Sequence, residues 1–323
     1  MDYTYLVTGS DGHLGSWVIK KLIKQGKTVR GLRLPTSKFT TPIIEEVYYG
    51  DVTDIESMRD FFNVEHAKVI HTAGIISVSK KMTKSLYNVN VQGSINVLKL
   101  CKEKNFPLTY ISSVHSFCAT KGSVNEDSLI DPKKVVGPYA TTKAITTKIM
   151  MKERKNLPIN IVFPTGILGP KDYGKNHLNS VIKDRISGKL FAYIAGGYDM
   201  VDVRDVASFV VKLATSPTVN ENFILSNSFI LVKDFLEKIG SVLKDKKHLI
   251  KIPTIVARII APLSEIYYKI IKRPALFSSY SIFTLNHSPK FSHNKATALF
   301  AYTPRTIEKT IKDIIIDIMK SKK

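Results

Sequence analysis

Cysteine is nearly absent from this chain: only Cys101 and Cys118 occur in 323 residues. Two cysteines remote from any histidine cluster supply neither a four-ligand zinc site nor a disulfide framework, so no metal is expected and a reducing, cytoplasmic setting is. Acidic residues are also scarce, 27 Asp+Glu against 48 Lys+Arg, for a formal net charge of +21. Such a charge suits nucleic acid, anionic membranes or anionic small ligands. The lysines are scattered, with no long block of one sign, which argues against a nucleic-acid track. An uninterrupted apolar run of spanning length is missing too. The most apolar stretch, Ile252 to Ile271, is broken by Arg258, Glu265 and Lys269. It reads as a buried or interfacial helix rather than a membrane span, which leaves peripheral membrane contact open. Met1 runs directly into the apolar Tyr3 to Val7, without the basic segment that opens a secretory leader. With 44% hydrophobic and 23% charged residues, disorder and low-complexity classes are excluded.

What is present is alternation. Short β-branched runs at Tyr3 to Thr8, Thr28 to Leu32, Glu46 to Tyr49, Lys68 to His71, Leu108 to Ile111 and Ile159 to Phe163 are separated by helical patterns such as Leu14 to Gln25 and Leu86 to Lys104. This pattern predicts an α/β fold, a Rossmann doubly wound parallel sheet, whose ligands sit beyond the carboxyl ends of the strands. After Pro164 the alternation loosens. Helices are expected at His177 to Lys189, Val206 to Ser216, Val232 to Leu243 and Thr306 to Lys320, with brief strands at Phe191 to Ile194 and Asn222 to Leu225. The reading is a dinucleotide domain over 1–165, a smaller and mostly helical substrate lobe over 166–323, and a return of 200–230 to the first domain.

The residues that could carry chemistry fall just after the strands. Thr8-Gly9-Ser10-Asp11-Gly12-His13-Leu14-Gly15 follows the first strand and opens an amphipathic helix. Glycines there let backbone N–H groups approach a pyrophosphate at the positive helix end; a tight turn serving only the fold would look the same. The second strand ends in Arg33, with Arg30 inside it, and no Asp or Glu occurs between Lys24 and Ile44. An arginine at this place accommodates a 2′-phosphate, where a carboxylate would hold a free 2′-hydroxyl, so NADP(H) is expected over NAD(H). Asp51 and Val52 follow the third strand, and Thr72-Ala73-Gly74 the fourth. Asp51 could accept from the adenine amino group, and the small residues would let the cofactor cross the sheet. The fifth strand ends in Ser112-Ser113. Tyr139 and Lys143 lie four apart in a helical pattern, hence on one face, where an ammonium would favour the phenolate.

Taken in order, these motifs, with Asn90-Val91-Gln92-Gly93, Pro164 to Pro170 and Val201 to Val206, resemble the extended short-chain dehydrogenase/reductase superfamily. The arginine after the second strand and the stretch Phe163 to Pro170 look most like the branch of dihydroflavonol-4-reductases and 3β-hydroxysteroid dehydrogenases, within the NAD-dependent epimerase/dehydratase family. The resemblance implies Ser113 as the substrate-orienting serine, Tyr139 as acid/base, and Lys143 as the residue that binds the nicotinamide ribose and lowers the tyrosine pKa. It implies cofactor contacts at Gly9, Gly12, His13, Leu14, Gly15, Arg33, Asp51, Val52, Thr72, Ala73, Gly74, Tyr139, Lys143, Pro164 and Ile167, and a structural role for Asn90. Dehydratases carry an Asp-Glu pair where this chain has Val114-His115, which disfavours that activity.

The expected function is thus an NADP-dependent oxidoreductase interconverting a secondary alcohol and a ketone or aldehyde. A sugar-nucleotide epimerase with retained cofactor and a non-catalytic dinucleotide-binding protein are the alternatives. The partner is a small carbonyl or alcohol, the chain a monomer or homodimer. His115 is a candidate substrate contact. The apolar segment from Ile252 to Phe283 reads as core of the second lobe or as a cover over the cleft, with Tyr267, Tyr268 or Phe277 against an apolar substrate.

Overall fold

The computed structural model describes residues 2–37, 46–118, 122–172, 176–190, 192–245, 249–270 and 279–321. The first strand, β1 (Thr4–Thr8), alternates its side chains between two apolar layers: Tyr5 and Val7 face one, Leu6 the other. Both faces are therefore covered, as a parallel sheet requires. Helix α1 (His13–Lys24) lays Val18, Ile19 and Leu22 on the first face, carries Lys21 and Lys24 in its last turn, and stops at Gly26, whose φ is +69°.

The chain continues through β2 (Val29–Arg33), β3 (Glu46–Tyr49) and β4 (Ala67–His71). A short helix α2 (Lys84–Tyr87), a π-helical turn at Asn88–Gly93 and α3 (Ser94–Lys104) stand where the sequence suggested one continuous helix. Within the π turn Asn90 is buried, and at Gly93 a side chain's Cβ would come 2.6 Å from Val52 Cγ2. Next come β5 (Leu108–Ile111), β6 (Ser123–Val124), α4 (Pro138–Glu153), β7 (Ile159–Pro164) and β8 (Gly166–Leu168).

The second part holds α5 (His177–Ile186), β9 (Ala192–Ile194), β10 (Gly197–Asp202), α6 (Val203–Thr215), β11 (Asn222–Leu225), β12 (Ser228–Leu231) and α7 (Val232–Leu243). It ends with β13 (Ile250–Ile252), α8 (Thr254–Ile270), α9 (Ser279–His287), β14 (Lys290–Phe291), α10 (Asn294–Phe300) and α11 (Ile307–Lys320).

Seven strands form one sheet in the order β11-β7-β5-β4-β1-β2-β3, every neighbouring pair parallel. β11 therefore joins the first sheet, and α6 packs Phe209 and Val210 beside α1 in the same layer. The lobe holds more strand than the sequence suggested: β10 lies between β8 and antiparallel β12, and β9 pairs with β13. Its core runs through Ile182, Leu236, Ile239, Ile311 and Ile314. An ionic joint ties it to the sheet domain. Buried Asp202 accepts from Arg204 (2.7 Å) and from Thr310 Oγ1 (2.8 Å), while Arg305 pairs with Asp205 (2.8 Å). Cys101 and Cys118 are both free and buried. No helix among the described residues is long and apolar enough to cross a membrane.

Candidate active site

Beyond Thr8 the backbone makes a turn that only glycine fits. Gly9 has φ +67°, and a Cβ there would lie 2.8 Å from both Cα and N of Ala73. A Cβ at Gly15 would lie 2.1 Å from the Gly9 carbonyl oxygen, and one at Gly12 3.1 Å from it. Thr72 Oγ1 closes the floor by donating to Thr8 O at 2.7 Å. The ends of β1 and β4 thus meet backbone to backbone under the start of α1. There, near Leu14 and Gly15, the first amides have no partner within the helix and the dipole is positive. A turn of this shape leaves backbone N–H groups open toward an anion. His13 is anchored at its rim: its Nε2 lies 3.1 Å from Pro170 O, which also accepts from Trp17 Nε1 at 3.1 Å.

At the end of β2, Arg33 stacks 4.8 Å over the ring of exposed Tyr49 and donates to its hydroxyl at 2.6 Å. Arg30 is placed differently. It lies in the amino-terminal half of the strand, paired with Glu46 at 2.6 Å and donating to Asn63 O at 2.9 Å. Asp51 Oδ1 caps the turn after β3 by accepting from Thr53 N at 2.8 Å, and Val52 is buried against Gly93.

After β4, the Gly74 loop is held by Asn90, whose Oδ1 accepts from Ile75 N at 2.8 Å and whose Nδ2 donates to Ile75 O at 2.9 Å. A Cβ at Gly74 would sit 3.6 Å from Lys143 Nζ. Lys143 is buried in α4, donates to Ile111 O at 2.8 Å and lies 5.1 Å over the Tyr110 ring. Burial lowers its pKa to about 8. Ser112 Oγ is taken up between Ser116 Oγ (2.9 Å) and Thr147 Oγ1 (2.6 Å). Ser113 turns the other way, and its Oγ accepts from His115 N at 3.3 Å. Tyr139 stands in the first turn of α4, one turn before Lys143.

The edge of the His115 ring meets the Tyr139 ring at 6.0 Å between centroids, and its Nε2 shares a hydrogen bond with the Tyr198 hydroxyl. Burial holds His115 neutral, with its pKa down at about 4. A cavity opens beside this group, lined by His115, Ala140, Tyr198, Phe283, His287 and Phe291. Tyr198, on β10, had no signal in the sequence. Its place depends on Gly166, where a Cβ would lie 2.5 Å from Tyr198 Cε1. Pro164 ends β7, buried, and Ile167 in β8 packs on the α1 face of the sheet. Tyr267 and Tyr268 fall within α8, but their side chains, like all of Phe277, lie outside the described residues.

The site therefore gathers the glycine turn after β1, Ser113 after β5, and Tyr139 and Lys143 of α4 at adjoining strand ends. The sequence pattern of the NAD dependent epimerase/dehydratase family matches residues 5–225. The chain belongs to that family. Among relatives, the sterol demethylase protein B of Methylococcus capsulatus is 24% identical over 97% of each chain. The human 3β-hydroxysteroid dehydrogenase type 7 is 31% identical over 59% of this chain and 57% of its own. The UDP-glucose 4-epimerase of Thermotoga maritima shares the fold with a TM-score of 0.80, 18% identity, and coverage of 99% of this chain and 100% of that one. The family is enzymatic, and its fold is the seven-stranded sheet seen here.

Proposed function

We propose that the chain is an NADP-dependent oxidoreductase that interconverts a secondary alcohol and a ketone or aldehyde in a reducing, cytoplasmic setting. The observation that carries this reading is the burial of Lys143 beside Gly74, one helical turn from Tyr139 and bonded to the end of β5 that leads into Ser113. The glycine cradle, with clearances that leave no room for a Cβ, fits the pyrophosphate of a dinucleotide at Gly9, Gly12, His13, Leu14 and Gly15. Arg33 supports the 2′-phosphate form. Asp51 and Val52 are suited to the adenine, and Thr72 to Gly74, Pro164 and Ile167 to the crossing toward the nicotinamide. When bound, the nicotinamide supplies or accepts the hydride.

The chain's own residues do the remaining work. Ser113 Oγ orients the substrate oxygen. Tyr139 gives that oxygen its proton in the reductive direction and takes it back in the oxidative one. Lys143, fixed by Ile111 O, holds positive charge where it stabilises the phenolate. His115, neutral and tied to Tyr198, walls the substrate side and offers an uncharged polar contact. The apolar cavity next to it favours a substrate with a hydrocarbon or aromatic part.

Likeness to a UDP-glucose 4-epimerase along the full chain supports a second reading, in which the same group oxidises a sugar and returns the hydride. One pair of assays separates them. NADPH consumption against a panel of aldehydes and ketones is expected to proceed, with NADH used more weakly. UDP-glucose epimerisation without net redox change, together with an inactive carbonyl panel, would overturn the first reading.

A further inference from the structure

Helix α8 is packed inside out. A surface helix normally turns its large apolar side chains inward. Here Ala257 and Ala261, 5% and 1% exposed, face the body of the protein against Ile194 and Ile282. Ile255, Ile259, Leu263, Ile266 and Ile270 stand 74, 68, 66, 58 and 73% exposed. At 3.6 residues per turn these five share an arc opposite the two alanines. Scattered single apolar residues on a surface need no explanation, but a continuous aliphatic face along a 17-residue helix marks a contact surface.

Charge selects the occupant. The stretch 244–273 contains eight Lys+Arg and two Asp+Glu, and Lys244, Lys251 and, on α8 itself, Arg258 are exposed. The whole chain carries +21, so pairing two copies through this face would bring like charges together, whereas an anionic surface would attract it. The described side chains on that arc are all aliphatic. We infer that α8 docks the protein in the plane of an anionic lipid bilayer, with its isoleucines at the boundary between headgroups and acyl chains. Helix α9 packs between α8 and the site and supplies Phe283 and His287 to the cavity, so a docked α8 brings that cavity close to the lipid. The inference does not depend on the reaction proposed above.

Flotation of the full chain with vesicles tests it. Vesicles of phosphatidylcholine mixed with phosphatidylglycerol are expected to carry the wild-type protein, and vesicles of phosphatidylcholine alone to carry much less. The double variant Ile259→Glu/Leu263→Glu changes exposed positions only, so its melting temperature should match the wild type while its vesicle binding falls at least ~10-fold. Arg258→Gln should weaken binding by several-fold and make it less sensitive to salt. Absence of wild-type binding to the anionic vesicles would overturn the inference, as would unchanged binding by the double variant. So would light scattering that shows a stable dimer which the double variant dissolves, because α8 would then be a subunit interface.

Discussion

The wall of the cleft made by β1, β4, β5 and α4 fixes its groups through neighbouring backbone, whereas the facing wall, from β10 and α9, is assembled by residues far apart along the chain. In the first wall Gly9 touches Ala73, Asn90 grips Ile75, and Lys143 donates to Ile111 O. In the second, His115 reaches Tyr198 across 83 positions, and Phe283 and His287 arrive from still farther. Under the proposed function the first is the cofactor wall and the second the substrate wall; a cofactor wall must let backbone amides come within hydrogen-bonding range of phosphate, which demands glycine at set spacings. A substrate wall needs only shape and a few polar contacts, which many side chains can supply from many places. The two walls are therefore specified by different kinds of constraint, steric in one and cumulative in the other, and single substitutions should separate them.

The largest expected effect lies at the junction of the walls. Tyr139→Phe should lower turnover by at least ~10²-fold, the scale of losing a positioned general acid or base, while dinucleotide affinity stays near that of the wild type. Steady-state rates paired with a fluorescence titration of the reduced cofactor check both halves. Turnover within a few-fold of the wild type would remove Tyr139 from the mechanism.

Next comes a break confined to the cofactor wall. A Cβ at Gly15 would lie 2.1 Å from a backbone carbonyl, and backbone packed between β1 and α1 cannot shift as a flexible side chain would. Gly15→Ala should cost about 1–3 kcal/mol of stability and abolish measurable dinucleotide binding, whereas Gly26→Ala, in open space though at φ +69°, should leave binding intact. Thermal melts with and without cofactor distinguish these outcomes. Equal cofactor-induced stabilisation of Gly15→Ala and the wild type would show that the turn serves only the fold.

These two tests address what the sequence made legible. The six strands of the first half and the glycine turn follow from alternation and spacing because parallel strands buried on both faces leave few other patterns. Val232 to Leu243 was equally readable, since its apolar residues recur at one helical period. The break at Asn88–Gly93 was not: the apolar period of Leu86 to Lys104 carries no mark of it, and the contacts made there, Gly93 on Val52 and Asn90 on Ile75, are tertiary. β10 was hidden in the same way. Its Asp199 and Asp202 are buried with partners on other elements, Asn227 and Thr310, and two acids in six residues hide the apolar character of a strand. Arg30 shows the limit of proximity in sequence: three residues before Arg33, it serves an ion pair at the other half of the strand. The outward isoleucines of α8 have the amphipathic period of a core helix, and only the burial of Ala257 and Ala261 reveals which side faces in.

A smaller effect sharpens the cofactor wall. Arg33→Ala removes the guanidinium stacked on Tyr49 and should weaken NADPH about 10-fold, the order expected of one exposed charge-assisted contact, with NADH changed less than twofold. Parallel titrations of both cofactors measure it. A wild type that prefers NADH, or a variant that loses both cofactors equally, would assign Arg33 to the fold of the β2–β3 edge instead.

The smallest effect compares the walls through their histidines. His71, between β4 and the π turn, hydrogen-bonds Thr8 Oγ1 at 2.7 Å and Ser94 Oγ at 3.0 Å, and burial brings its pKa down to about 3. His115 in the other wall is held at about 4. A histidine with a depressed folded pKa leaves the unfolded chain binding more protons below about 6.5. Stability is therefore full above that pH and lost as the pH falls toward 4 for His115 and 3 for His71. Each group sets an upper limit of about 1.4 kcal/mol per pH unit in that window. His13 and His293 are lowered by burial as well, so the wild-type loss is a sum. His115→Phe isolates one member of it. The variant should be less stable than the wild type at pH 7, because the hydrogen bond between His115 and the Tyr198 hydroxyl is lost. Between pH 7 and pH 5, however, it should lose on the order of 1 kcal/mol less than the wild type, as read from urea midpoints at each pH. An identical pH dependence in the two proteins would mean that His115 opens to water without global unfolding, and the substrate wall would then be the mobile side of the cleft while the cofactor wall, with His71, keeps its full acid sensitivity.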